Sequence, residues 1–289
     1  MILKDFPPHS SLKEFIQCYR IVHFHFAREQ EPVLKAYAPR PETCLHFFLR
    51  ESEFIQLNHG PKKDTRFSIA LTGQQTSVIN RYLLGKDFLT FNIVFQPAAL
   101  FRLTGISSFE LTDQYLDAES VFSGSIRLVL EQLQAAAGYN QMTTIADRFV
   151  QDLVRGARKG EHQLDRISRL MLATGGKASL DWLARESYLS TKQFTRKFNE
   201  RTGVNPKTYL RIIRFIRAVN MRNAYPDRDW LRIALECDYF DYQHLVRDYK
   251  DFTGYRPHEF HLLENNSPEQ KLGLASEVYR NRAASLIMA

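Results

Sequence analysis

One supersecondary unit is written twice in the last third of the chain, and nothing else in its 289 residues restricts the fold as tightly. Phe194-Thr-Arg-Lys-Phe198, Thr202-Gly203 and Pro206 have counterparts in Leu245-Val-Arg-Asp-Tyr249, Thr253-Gly254 and Pro257, each 51 residues later. Leu183-Ala184 answers Ile233-Ala234 at a spacing of 50, so the second copy carries one extra turn residue. Each copy reads as a short helix, a tight turn, an amphipathic helix and a glycine stop. That is the pattern of a helix-turn-helix.

The chemistry of each copy follows from its helical faces. In the first, Ser190 is suited to cap a helix and Gln193 to complete a capping box. At 3.6 residues per turn, Thr191, Phe194, Phe198 and Arg201 share one side, and the two phenylalanines supply the core contacts. Lys192, Thr195, Arg196 and Asn199 form an adjoining stripe of hydrogen-bond donors of the kind a major groove accommodates: arginine or lysine for guanine, asparagine for adenine. In the second copy Asp241 caps, Leu245, Tyr249 and Phe252 face the core, and Gln243, Val246, Arg247 and Lys250 form the stripe, with Tyr242 at its flank. Asn205 and Pro206 start a connecting helix. Its core side carries Tyr209, Ile212, Ile213, Ile216 and Val219, and its basic side Arg211, Arg214, Arg217 and Arg222. A rod of about 17 residues spans roughly 25 Å, which suits two readers placed near one DNA turn, about 34 Å, apart.

Charge supports a polyanionic partner and divides the copies. The formal net charge is +7, which favours double-stranded DNA. Residues 179–222 hold ten Lys/Arg against three Asp/Glu, whereas 223–263 hold five against eight. The first unit is therefore expected to supply most of the phosphate attraction and anchor the DNA, and the second to adjust specificity. Three separated cysteines argue against a disulfide framework. No signal-peptide pattern or membrane-length apolar run is seen, so the expected location is cytoplasmic.

The first hundred residues read as strands and turns. Ile21-Val-His-Phe-His-Phe26 alternates, while Cys44–Leu49 and Phe88–Phe95 are apolar runs separated by turn-rich stretches such as Asn58–Asp64. Helical periodicity follows from Pro97, over 117–137 and over 141–158. Gly156–Gly160 reads as a linker. The expected fold class is α+β: a β-rich domain over 1–157 with a helical end, an all-helical domain over 161–264, and a tail over 265–289 that forms a helix at 268–280 or is loosely held.

The pattern Ala184-x5-Ser190-x3-Phe194-x-Arg196-x-Phe198-x4-Gly203-x2-Pro206 resembles the first reader of the AraC/XylS family of bacterial regulators. Ile233-Ala234-x6-Asp241-x2-His244-Leu245-x-Arg247-x-Tyr249-x3-Thr253-Gly254-x2-Pro257 is similar to that family's second. The resemblance covers roughly 165–262. It implies that Lys192, Thr195 and Arg196 meet bases in one groove and Gln243 and Arg247 in the next. Asp238 stands in the turn where the family usually has glycine. Leu71-Thr-Gly-Gln-Gln-Thr76, Phe95–Gly105 and Phe109–Asp113 resemble the cupin-like sensor domains that precede such readers. This implies control by a small-molecule effector or a partner, with homodimerisation and contact with RNA polymerase as further expectations.

Phe47, Phe91 and Phe95 are expected to fill the core of the β-domain; the alternative is a barrel lined by them that encloses such an effector. His23 and His25 share a strand face, and with His46 or a carboxylate that pair would suit a metal. No further ligands follow at metal-site spacing, so a solvated strand face is expected, with no cofactor and no catalytic residue. Two other readings stay open: an architectural DNA-binding factor without a ligand, and a cupin-type metalloenzyme fused to a DNA-binding module.

Overall fold

The computed structural model describes residues 1–26, 32–57, 62–63, 67–122, 124–275 and 278–281. Ten strands lie among them: β1 (Ile2–Phe6), β2 (Ile16–His25), β3 (Val33–Tyr37), β4 (Thr43–Phe48), β5 (Glu53–Leu57), β6 (Lys62–Lys63), β7 (Ile69–Thr72), β8 (Ile79–Leu83), β9 (Asp87–Phe95) and β10 (Tyr115–Asp117). They pair antiparallel in two sheets, ordered β1-β2-β9-β4-β7-β10 and β3-β8-β5-β6. The sheets close on a cluster containing Phe24, Phe48, Ile55, Ile79, Leu83 and Phe88. The three apolar runs of the sequence are β2, β4 and β9, adjacent at the centre of the larger sheet. Of the turn-rich stretch Asn58–Asp64, only Lys62 and Lys63 fall within the described residues, and they pair as β6 with β5.

Strand alternation gives the larger sheet two buried faces of different character. One packs on three helices, α1 (Ala99–Thr104), α2 (Ser125–Gln134) and α3 (Tyr139–Arg155). Phe47, Phe91 and Phe95 are on this side, in a core with Ile126, Leu133 and Phe149, and the Phe47 and Phe149 rings meet edge to face at 6.4 Å. These three phenylalanines therefore fill the core, as expected, and the alternative in which they line a cavity is not realised. Their neighbours Cys44, His46, Phe88, Thr90 and Asn92 line one instead. The helical periodicity read over 117–137 yields a helix only from Ser125. Asp117 caps a 3-10 turn over Ala118–Ser120 first, and Leu128 is exposed.

The C-terminal half is helical: α4 (Gln163–Ala173), α5 (Leu180–Glu186), α6 (Thr191–Thr202), α7 (Pro206–Ala224), α8 (Trp230–Glu236), α9 (Tyr242–Thr253), α10 (Pro257–Asn265) and α11 (Pro268–Lys271). It has two cores. Leu183, Phe194 and Phe198 pack with Tyr209 and Ile213 of α7, whereas Ile233, Leu245, Tyr249 and Phe252 pack with Ile212, Phe215, Ile216 and Val219 of the same helix. Its 19 residues make a rod of about 28 Å. The linker is pinned to the β-domain, since the Arg158 and Lys159 amides both donate to the Arg102 carbonyl at 3.0 Å.

The described part of the tail is packed on the rest of the protein. After α11 it is helical at Ala275 and again over 278–281, with Leu272 and Leu274 packed against the inter-sheet cluster. Lys35 of β3 is buried against Glu264 at 2.9 Å and Glu269 at 2.5 Å. The Tyr279 hydroxyl donates to both carboxylates. Opposed charges there withstand burial because each has a partner.

Two buried histidines make the fold acid-sensitive. Burial pushes His46 down to about 3 and His261 down to about 4, against an ordinary value near 6.5. Below pH about 6.5 the unfolded chain binds protons that the folded chain refuses, so stability falls with pH from there to about pH 4 for His261 and about pH 3 for His46. The urea midpoint is expected to drop steadily between pH 7 and pH 4.5, and less steeply in His46→Gln; a midpoint that rises over that interval would contradict this assignment.

Candidate nucleic-acid interface

The first reading helix, α6, begins where its sequence places it. Ser190 Oγ accepts from the Gln193 amide while Gln193 Oε1 accepts from the Ser190 amide, at 3.4 and 3.2 Å. Phe194 and Phe198 turn inward, and the Phe198 ring meets Tyr209 of α7 at 5.6 Å. This orientation leaves Lys192, Thr195 and Arg196 exposed and Asn199 half-buried. In α9, Asp241 Oδ1 accepts from the His244 amide at 2.7 Å, and Gln243, Arg247 and Lys250 are exposed. Tyr242 is half-buried and packs on the second core beside Trp230, so it serves that core as well as the flank. Lys192, Arg196, Arg247 and Lys250 enter none of the ion pairs among the described residues. Their charges remain available to an external anion.

The basic side expected of α7 is used internally. Arg211 pairs with Asp248 and Asp251, and Arg214 with Asp248 at 3.5 Å. Arg217 is buried and donates to Asp238 and to the Gly175 carbonyl. Arg222 donates to the Arg228 carbonyl and stacks on Trp230. Several of the acids that make the second unit negative overall, Asp238, Asp248 and Asp251, therefore neutralise the rod rather than face a groove.

The two turns share one feature that the sequence marked in the second only. Asp238 has φ 61°, as its turn position requires, and Tyr188, its counterpart 50 residues earlier, has φ 51°. Both strained positions lack glycine. Tyr188 is 85% exposed and Phe240, on the second turn, is 88% exposed. No core demands either ring, and aromatic residues in a turn were the only sequence signal for them.

Both units dock on the β-domain at points away from the reading stripes. Ser108 Oγ donates to the Arg201 carbonyl at 2.8 Å and Thr112 Oγ1 to the Gly203 carbonyl at 2.6 Å. Gly203 ends α6 with φ 89°, and a Cβ there would lie 2.8 Å from Thr112 Oγ1 and 3.1 Å from Gln74 Cβ. Only glycine meets both the backbone and the packing requirement. In the second unit the Val78 amide donates to the Phe252 carbonyl at 2.8 Å. Asp165, wholly buried, holds Arg201 at 2.6 Å.

Between the sheets lies a cavity of about 100 Å³, walled by Val22, Phe24, Leu83 and Phe88 together with Arg20, Arg40, Glu53, Gln75 and Arg81. His46 is on this face, held by Asn92 and Thr72. His23 and His25 are on the opposite face, so the three histidines do not form one site. His23 is not solvated: it contacts Tyr139 Oη at 3.0 Å and Asp87 at 2.8 Å, and burial lowers it to about 4. Its ligand atoms and those of His25 and Asp87 lie within 4.8 Å of one another. That set could hold a metal ion only in competition with Arg50, which pairs with Asp87.

Comparison with known proteins agrees with the fold. Residues 183–262 match the family model of a helix-turn-helix domain, and residues 4–117 that of a domain of unknown function. No curated protein matches the sequence. Among solved structures, ToxT from Vibrio cholerae is 9% identical and has a TM-score of 0.49 over 85% of this chain and 98% of its own. Wild-type ToxT from V. cholerae with a bound unsaturated fatty acid is 11% identical, with a TM-score of 0.45 over 85% and 94%. The AraC-like transcriptional activator CuxR is 14% identical, with a TM-score of 0.30 over 69% and 76%. The chain thus carries a helix-turn-helix domain over residues 183–262 behind a β-rich domain. Among the described residues no helix is long and apolar enough to cross a membrane.

The turn geometry separates two otherwise parallel substitutions. Tyr188→Gly removes left-handed strain from an exposed residue and is expected to raise the urea midpoint, by up to about 1 kcal/mol. Asp238→Gly relieves the same strain but strips Arg217 of its carboxylate. It is expected to cost about 1–2 kcal/mol net. Equal effects in unfolding titrations would remove the structural role given to the Arg217–Asp238 pair.

Proposed function

We propose that this DNA-binding regulator reads two successive major grooves with α6 and α9, and that its β-domain sets their placement in response to a small effector. The observation that carries the reading is the pair of exposed donor stripes whose cations have no internal partner, fixed to one rigid helix. Lys192, Thr195, Arg196 and Asn199 are the contacts of the first groove; Gln243, Arg247 and Lys250, with Tyr242 at the edge, are those of the second. A rod of about 28 Å suits readers one DNA turn apart. Homodimerisation and contact with RNA polymerase are the ways such a protein would turn occupancy into a transcriptional effect.

Control by the β-domain follows from where the readers are attached. Gln74 packs on Gly203 and donates to the Arg40 carbonyl at 2.8 Å, while Arg40 and Gln75 line the cavity. Val78, bonded to α9, precedes Ile79 of the cavity wall, and Lys35 ties that wall to α10. A molecule that reshapes the cavity acts on residues adjacent in the chain to Gln74 and Val78, which contact the first and second unit, and such contact is what coupling requires.

The unequal chemistry of the units sets the test. Arg196→Ala is expected to weaken binding to a selected operator about tenfold to a hundredfold. Arg247→Ala should cost less, because the second unit is net negative, with five Lys/Arg against eight Asp/Glu over 223–263. Electrophoretic titration and footprinting on sequences selected from a random pool read both. A footprint shorter than one helical turn, or unchanged affinity in both variants, would defeat the two-groove reading; equal losses would defeat the ranking.

A further inference from the structure

The cavity between the sheets holds three buried polar groups whose hydrogen bonds are unmade, and together they specify a ligand. Arg40 is 9% exposed, its Nε has no hydrogen-bond partner, and it enters none of the ion pairs among the described residues. The other cavity cations are neutralised: Arg20 by Asp5 and Glu42, Arg81 by Glu53, and Lys35 by Glu264 and Glu269. Glu53, 1% exposed, receives Arg81 and the Tyr115 hydroxyl on Oε1 alone, and Oε2 is unpartnered. Gln75 gives its amide hydrogens to the Gly73 and Gln114 carbonyls, which fixes its orientation and leaves Oε1 a bare acceptor.

We infer that this cavity binds a small zwitterion, with an anionic group on Arg40 and a cationic donor on Glu53 Oε2 and Gln75 Oε1. A buried guanidinium that makes no direct salt bridge, and shares the field of Glu42 with Arg20, can take an anion, and a buried carboxylate oxygen with no donor calls for a donor. Arg40 and Arg81 lie over the same Tyr37 ring, 5.1 and 5.2 Å from its centroid. Their guanidinium carbons are thus within about 10 Å of each other, and Glu53 is held by Arg81. The two poles are therefore close, and the remaining wall (Val22, Phe24, Leu83 and Phe88) is apolar. A volume of about 100 Å³ admits on the order of ten heavy atoms, judged by the space one water requires. That excludes a long acyl chain and suits an amino acid with a short aliphatic body. The inference names the ligand class for the effector site proposed above and rests on that reading only for its regulatory meaning.

The test uses the full-length protein with L-leucine and ε-aminocaproate as probes, and with isocaproate, caproate, isoamylamine and hexylamine as matched molecules lacking one charge. At millimolar concentration at least one zwitterion is expected to raise the melting temperature and show saturable calorimetric binding, while the single-charge molecules do not. Arg40→Met should retain or raise the unliganded melting temperature and weaken the zwitterion about tenfold or more. Gln75→Leu, farther from any ion pair, should weaken it as well, which keeps the assignment testable if Arg40→Met fails to fold. Equal binding of caproate, equal binding of hexylamine, no binding by any probe, or full affinity in both variants would overturn it. Zwitterion binding that left operator affinity unchanged would support this ligand class and overturn the regulatory reading; an operator affinity shifted only by an unrelated molecule would do the reverse.

Discussion

Helix α7 belongs to two cores at once, and the geometry of the DNA-binding half depends on that. Tyr209 and Ile213 fill the first unit while Ile212, Phe215, Ile216 and Val219 fill the second. Neither unit can tilt without disturbing a rod that the other also packs, and close-packed interiors resist such shifts. The arginines on its flank reinforce this by pairing with the acids of α9 and of the second turn. A helix that looks like a basic surface in sequence is thus an internal strut, whereas Lys192 and Arg196 of α6 and Arg247 and Lys250 of α9 stay outside the ion pairs among the described residues.

The β-domain contributes through attachment rather than through coverage. Its contacts reach the end of α6 at Gly203, the end of α9 at Phe252, and α10 through Lys35. The stripes themselves remain open. Each anchor is on, or next to, a strand or loop that walls the cavity, so the cavity and the readers share a mechanical frame. The tail completes that frame by adding the buried Glu269 and Tyr279 to the cavity wall.

How much of this was legible depends on the range of the interactions involved. The capping residues Ser190, Asn205 and Asp241 act within one helical turn, and the structure places each at a helix start. The inward faces of α6, α7 and α9 follow from a period of 3.6. Strands β2, β4 and β9 were visible as runs, but a run buried on both faces carries no mark of which side meets the helices. Core filling by Phe47, Phe91 and Phe95 was the expected role and is what the structure has, but that His46 and Asn92 would face a cavity was not legible. Tyr188 gave no sign of its left-handed backbone, because nothing in a lone turn tyrosine specifies it.

The sequence by itself determined the local elements of the reading half, their repetition and the residues they expose, because capping, periodicity and glycine stops are encoded within a few positions. Tertiary structure decided which charges are spent and which are free. Arg217 meets Asp238, Lys35 meets Glu264 and Glu269, and Arg40 makes no direct salt bridge among the described residues. Those outcomes depend on chain segments up to 234 residues apart, as Lys35 and Glu269 are. Pairing at that distance is settled by packing, and no local pattern records it.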